Sequence, residues 1–271
     1  MIDPIRDPAN NRRQYGDSTK INARARMHER YATVDWFAFV AGHLDVPDGA
    51  NVLDVGCGPG WFWSHRTHGA RPDVTLVLSD LSPGMVDEAT ARVRADGRFG
   101  TVKGFVADAA DLSSVPHAPF DTVVAMHMLY HVSDPSIVFD QVARLAKPGA
   151  QVLVSTTHPD SFRELGRISA AVWGTDERDP AGMAFPPERS LALMRKRFED
   201  VELHESVDVL RCSNEEDARD FLLSFPPGDN ATPQEIARLE RCVADAFTHG
   251  VLEIRKRAAV VTARWPGAPA R

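Results

Sequence analysis

What this chain lacks narrows its chemistry first. It has three cysteines, Cys57, Cys212 and Cys242, and no two of them stand in a C-x-x-C pair. That spacing excludes a zinc ribbon or a dithiol redox motif, and a low, odd count fits a reducing compartment. No apolar run approaches the ~18 residues that span a bilayer. The stretch before Tyr15 carries Asp3, Arg6, Asp7, Arg12 and Arg13 and lacks the apolar segment of a secretion signal. The expectation is a soluble, cytoplasmic protein with no membrane partner. Positive charge is not in excess either: 31 basic against 38 acidic residues leave a net charge of −7. That balance argues against an electrostatic grip on nucleic acid. Internal repeats and low-complexity segments are also missing.

What is present is an ordinary globular composition, 43% hydrophobic and 25% charged over 271 residues. A chain of this length can bury a large core without disulfides or metals. Residues 1–20 read as a polar arm. Ile21 to about Leu44 has helical spacing, with Trp36, Phe37, Val40 and Leu44 on one face. Asn51–Val55 is a short strand that enters the glycine turn Gly56-Cys57-Gly58-Pro59-Gly60, and a helix should follow through Trp61 to His68. Val74–Leu78 is a second apolar run ending at Ser79-Asp80. Ser82 is a natural N-cap with Pro83 at the first helical position. Val102–Val106 and Phe120–Met126 are further strands. A helix over Pro135–Leu145 should break at Lys147-Pro148-Gly149 before a strand over Gln151–Thr156. Strands alternating with helices, each strand apolar throughout, mean a parallel sheet covered on both faces.

The last third differs. Helices are expected over Phe162–Trp173, Glu188–Phe198, 214–225 and 233–248, with a Pro/Asp/Gly-rich loop over Gly174–Pro187 as a candidate lid. Val201–Arg211 and Leu252–Trp265 read as long strands. They lie too late and too far apart for a sixth βα repeat, so they should close the sheet as an antiparallel pair. The expected architecture is α/β: seven strands, five of them parallel, with helices on both faces. The division expected is an arm and cap helix over 1–45 and a catalytic domain over 46–271 with a cap insertion at 157–190.

The strongest chemical signal is Val52-Leu53-Asp54-Val55-Gly56-Cys57-Gly58-Pro59-Gly60. Glycines admit positive φ and let a ligand approach the main chain. A dinucleotide site would use G-x-G-x-x-G, but position 61, where its third glycine falls, is Trp. Asp80, at the end of the second run, can accept both hydroxyls of a ribose. Asp108, at the end of the third, can accept from an adenine amine. Each has a plainer reading: Asp54 as a turn cap, Asp80 as a helix cap, Asp108 and Asp111 as turn residues. Cys57, Met85, Met126 and Met128 read more readily as core.

These residues, with Val106-Ala107-Asp108-Ala109, Phe120-Asp121-Thr122-Val123-Val124, Met126-His127-Met128-Leu129-Tyr130-His131-Val132, Asp134-Pro135 and Leu145-Ala146-Lys147-Pro148-Gly149, make residues 50–156 resemble the class I S-adenosylmethionine methyltransferases. The later blocks are similar to the small-molecule branch that includes ubiquinone and menaquinone C-methyltransferases. The resemblance implies S-adenosylmethionine as cofactor. It places Gly56, Gly58 and Gly60 at the methionine part and Asp54 near the ammonium. Asp80 would hold the ribose, Leu81 and Ala109 the adenine faces, and Asp108 the exocyclic amine. His127 would offer its carbonyl to the ammonium.

Methyl transfer from a sulfonium is an in-line displacement in which the protein aligns reactants and excludes water. A base is needed only where the acceptor must first lose a proton. His127 and His158 are the candidates, ahead of His131. The expected acceptor is a small molecule of specialised metabolism, methylated on C, N or O. Tyr15, Tyr31, Trp36, Trp61, Trp63, Phe162 and Trp173 are available to line its pocket, and Arg26 and Tyr31 to reach the cofactor carboxylate. The alternatives are an NAD-dependent oxidoreductase and a peptide-directed methyltransferase. An amino-directed DNA enzyme would carry Asp/Asn-Pro-Pro-aromatic where Met126-His127-Met128-Leu129 stands. No metal is expected, and an oligomer is open.

Overall fold

A computed structural model describes Gln14, residues 19–116 and residues 119–267. Most of the expected arm, including Tyr15, lies outside the described residues. Seven strands form one sheet in the order β3-β2-β1-β4-β5-β7-β6. They are β1 Asn51–Val55, β2 Arg71–Asp80, β3 Phe99–Val106, β4 Phe120–Met126, β5 Ala146–Thr157, β6 Glu199–Cys212 and β7 Leu252–Arg264. The first five are parallel, as expected from their continuous apolar runs. The last two form the antiparallel C-terminal pair. The reversal shows where β7 meets β5: Gly149 N donates to Trp265 O at 2.7 Å while Trp265 N donates to Ala150 O at 2.9 Å.

The chain divides into two compact units: residues 36–156 with 187–204 and 259–271, and residues 1–35 with 157–186 and 205–258. In the first, Val52, Leu76, Leu78, Val124, Leu153 and Val260 build one sheet face against Phe62, Trp63, Ala89 and Val93. Two helices of this unit start on cap-proline pairs. Ser82 accepts from Met85 N ahead of Pro83–Asp96, and Asp134 accepts from Ser136 N ahead of Pro135–Leu145. A side-chain acceptor at the cap and a proline that needs no N–H partner fix both starts. In the second unit, Met27, Leu165, Ile168, Phe221, Leu239 and Ile254 form a separate core.

Four expectations change. The helix read over Ile21–Leu44 is two, α1 Thr19–Tyr31 and α2 Trp36–Ala41. The break is held by Asp208 of β6, whose carboxylate accepts from Thr33 N, Thr33 Oγ1 and Val34 N. The helix after the glycine turn is one turn only, α3 Trp61–Ser64. Lys147-Pro148-Gly149 does not precede β5 but belongs to it. The candidate lid 174–187 is not an open loop: Asp179 caps a helix, Pro180–Ala184, through Ala181 N and Gly182 N. That segment is pinned where Asp179 N donates to Pro159 O at 2.8 Å.

Candidate functional site

In parallel sheets ligands bind at the carboxyl ends of the strands, and the residues that the resemblance gives to the cofactor, Asp54 through His127, lie at that crest within the first unit. The turn is sewn to β2, since Gly56 N and Cys57 N both donate to Ser79 O, at 2.8 and 2.9 Å. Its three glycines adopt positive φ, for different reasons. A Cβ on Gly60 would lie 2.8 Å from the Ala89 Cα, and one on Gly56 would strike the Met128 side chain. A Cβ on Gly58 would meet nothing within 4 Å, so only its φ of +53° and the open space beside it call for glycine. Gly60→Ala should therefore destabilise the fold by about 2 kcal/mol, combining backbone strain with overpacking. Gly58→Ala should cost about 1 kcal/mol. Urea denaturation giving equal losses would contradict this division of roles.

Asp80 closes the turn from the other side. Its Oδ2 accepts from Gly58 N at 3.0 Å and its Oδ1 from Ser82 N at 2.9 Å. A carboxylate has about four acceptor positions, and the Leu81 backbone N–H bears on this one too, so at least one position remains for a hydroxyl donor. Ser82, not Asp80, caps the helix that follows, so the helix-cap reading of Asp80 is not realised and its carboxylate serves the turn ahead of the cap. Burial raises the Asp80 pKa, and hydrogen bonds from Ser82 and Gly58 oppose the rise.

Asp54 is 2% exposed. Its Oδ2 accepts from Trp63 Nε1 at 2.7 Å. Its Oδ1 is buried and has no hydrogen-bond partner among the described residues. Burial pushes its pKa up to about 7; the Trp63 hydrogen bond opposes this and the Asp80 charge adds to it. Burial also pushes the Cys57 thiol up, with Asp54 and Asp80 adding, so it stays neutral. Trp63, offered by the sequence as a pocket wall, is 1% exposed and is core instead. The sequence had no signal for its bond to Asp54, because the two meet only once α3 folds back over β1.

Leu81 and Val106 are large apolar side chains left 55% and 48% exposed. They adjoin: Asp80 is the register partner of Val106, and Ala107 N donates to Asp80 O at 3.0 Å. Val106 was not among the expected site residues; an apolar side chain stranded at a strand end is its only mark. Ala109 is buried. Asp108 is exposed, its Oδ1 accepts from Ala110 N, and it bridges Asp111, so the turn reading is realised.

His127 follows β4 in the left-handed region, φ 49°, with its N donating to Ser155 O. Its ring lies 5.3 Å from that of Trp36. A non-glycine residue held at positive φ costs roughly 1 kcal/mol or more and marks a functional position more often than chance. His131 sits in the 3-10 turn Leu129–His131, edge-on to Tyr130. His158 belongs to the second unit. Its Nδ1 accepts from Asp160 N at 3.0 Å, which places the proton of a neutral ring on Nε2. His158 is therefore set as a donor rather than a base. Arg26 and Tyr31 do not stand free for a cofactor carboxylate: Arg26 pairs with Asp220, and Tyr31 donates to Asp217 at 2.6 Å. Among the described residues no helix is long and apolar enough to cross a membrane.

Known proteins share this family and fold. The family model described as a methyltransferase domain matches residues 24–199. The chain is 34% identical over 133 residues to the ubiquinone biosynthesis O-methyltransferase of Xylella fastidiosa, covering 47% of this chain and 48% of that one. It spans about half the length of the curated relatives it matches first. With the enzyme of the same name from Xanthomonas axonopodis pv. citri the identity is 35% over 194 residues, covering 59% of this chain and 77% of the other. The fold is shared with a phosphoethanolamine N-methyltransferase of Haemonchus contortus, solved with phosphomonomethylethanolamine and S-adenosylhomocysteine. The TM-score is 0.54 at 17% identity, covering 97% of this chain and 60% of that one. A family match over more than half of the chain, on a sheet of this strand order with its glycine turn at β1, makes this protein a member of the methyltransferase-domain family.

Proposed function

We propose that the protein transfers the methyl group of S-adenosylmethionine to a small-molecule acceptor. The observation that carries this is the sign of the crest. One buried acid, Asp54, and one half-buried acid, Asp80, face the glycine turn, and the helix behind it is one turn long. A pyrophosphate wants a helix N-terminus and positive potential; this crest offers carboxylate oxygens and opposes the NAD reading. A cofactor carrying an ammonium, a sulfonium and a ribose diol suits it. The orphaned Oδ1 of Asp54 is an acceptor for the ammonium or for its bridging water. Asp80 retains acceptor capacity toward the diol. Leu81 and Val106 form an apolar rest for the adenine ring, with Ala109 beside it and Asp108 toward the exocyclic amine.

The cofactor, when bound, supplies an activated methyl group. This chain's part is to hold it in line with the acceptor and keep water out. His127 is the candidate base where the acceptor is a hydroxyl, which the relatives' names favour over carbon or nitrogen. Calorimetric titration with S-adenosylmethionine and with NAD decides between the cofactors. A screen of phenols, carboxylic acids and amines, read as a gain of one methylene in mass, finds the acceptor. Asp80→Ala should weaken cofactor binding by about 1–3 kcal/mol. Unchanged affinity in a folded variant would reject the ribose assignment.

A further inference from the structure

Trp63 lies on α3, nine residues beyond Asp54, yet donates its indole N–H to that carboxyl at 2.7 Å. Its ring is clamped by Phe62 and Phe99 edge-on and His68 stacked. The donor therefore cannot swing away, and it fixes which oxygen of Asp54 is spent. Oδ2 faces the indole, and Oδ1 stays buried with no partner among the described residues. Ser79 Oγ meanwhile donates to the Asp54 carbonyl at 3.0 Å, anchoring the backbone beneath. An indole N–H can donate to a carboxylate oxygen or to the carbonyl oxygen of a neutral carboxyl. It can therefore hold Asp54 in one orientation through a change of charge.

We infer that Trp63 is a positioning residue that presents Asp54 Oδ1 to the cofactor's ammonium, and that the empty site keeps a proton on Asp54 which the ammonium displaces. This rests on the reading of S-adenosylmethionine as cofactor and adds the chemistry of its capture. The exchange balances: a neutral carboxyl and an ammonium cation become a carboxylate–ammonium pair, and one proton passes to solvent. The titratable groups that bear on Asp54 are Asp80 at the end of β2 and the Cys57 thiol in the turn. Neither is a cation, so nothing among them supports a carboxylate before the ligand arrives. Burial acts the same way, holding Asp54 near pH 7 in its titration.

The probe is S-adenosylhomocysteine, which carries the same ammonium without the sulfonium. Isothermal titration of the full chain at pH 5.5 to 8, in buffers of different ionisation enthalpy, reads both affinity and protons released. Wild type should release nearly one proton at pH 6, and its affinity should rise about tenfold per pH unit up to pH 7, then level. Trp63→Phe should weaken binding and move the levelling point to higher pH, because the carboxylate loses its donor. A loss of packing alone would lower the affinity at every pH and leave that point where it is. Asp54→Asn should abolish both the proton release and the slope, and it gives a test that does not depend on the Phe variant folding. Binding to wild type with a flat profile and no proton release overturns the inference while leaving the cofactor reading intact, as does an unmoved levelling point in Trp63→Phe. No binding to wild type at any pH overturns the cofactor reading itself, and this inference with it.

Discussion

Replacing Asp54 with Asn should make the ligand-free protein more stable at pH 8 and no more stable at pH 5. The Asp54 carboxyl titrates near 7 in the fold against an ordinary value of 3.8. Between those values the folded chain binds more protons than the unfolded one, so stability falls as pH rises. From pH 5 to pH 7 this one group removes about 2 kcal/mol. Asn carries no charge and can still accept from Trp63, but it adds a buried N–H2 group with little to bond to. That costs about 1–3 kcal/mol at every pH. The gain at pH 8 is what survives this cost. His68 works in the opposite direction. Burial among Phe62, Trp63 and Phe99 depresses its pKa to about 4, with the charges of Arg98 and Arg71 contributing. Below 6.5 the unfolded chain binds the extra proton, so stability rises with pH through this window. Wild type should therefore show a shallow pH dependence that hides two steep ones. Asp54→Asn should uncover the rise, and His68→Phe the fall. Urea midpoints at half-unit pH steps measure both, and parallel profiles for the three proteins would refute the assignment.

Asp208→Ala should cost about 3–5 kcal/mol, the range for removing one member of a buried, charge-assisted network. Asp208 is 4% exposed. It accepts from Thr33 Oγ1 at 2.6 Å, Thr33 N at 3.0 Å, Val34 N at 3.1 Å and Val209 N at 2.8 Å. Burial by itself would raise its pKa; the hydrogen bonds from Thr33, Val34 and Val209 outweigh it and hold the group below its ordinary value. Its stabilisation is thus present above the ordinary carboxylate pKa and fades as acid protonates it. The alanine variant leaves these part-buried donors without their shared acceptor. Lys256 loses as well. Burial lowers its pKa to about 8, and Asp208 is the charge that resists that fall. In the variant Lys256 should titrate lower still. Chemical denaturation reports the first effect, and pH-dependent amine labelling of Lys256 the second. Hydrogen exchange should quicken first at Thr33 and Val34. A loss under 1 kcal/mol, with unchanged exchange there, would show that the break between α1 and α2 is held by something else.

Asp208 also marks the boundary of what a sequence can disclose. The apolar runs fixed β1 and β4 to the residue, and the Ser82-Pro83 and Asp134-Pro135 pairs fixed two helix starts, because these depend on neighbours within a few positions. The glycine turn, Asp80 and Asp108 were legible for the same reason: strand ends and turn chemistry are local, and their order along the chain follows from the alternation of strands and helices. The break at residues 32–35 was not legible, since its cause is a carboxylate on β6 some 175 positions away. Trp63 read as one more aromatic residue, and only packing of α3 over the sheet turned its N–H toward Asp54. His158 read as a base until a backbone N–H two residues on claimed its Nδ1. Arg26 and Tyr31 read as free until Asp220 and Asp217 claimed them. The sequence by itself determined the sheet, the turn and the acids at its crest, because local spacing encodes them. Which oxygen is left unsatisfied, which proton is held and which cation is already paired were decided only by tertiary structure, because partners and burial are set by residues far apart in the chain.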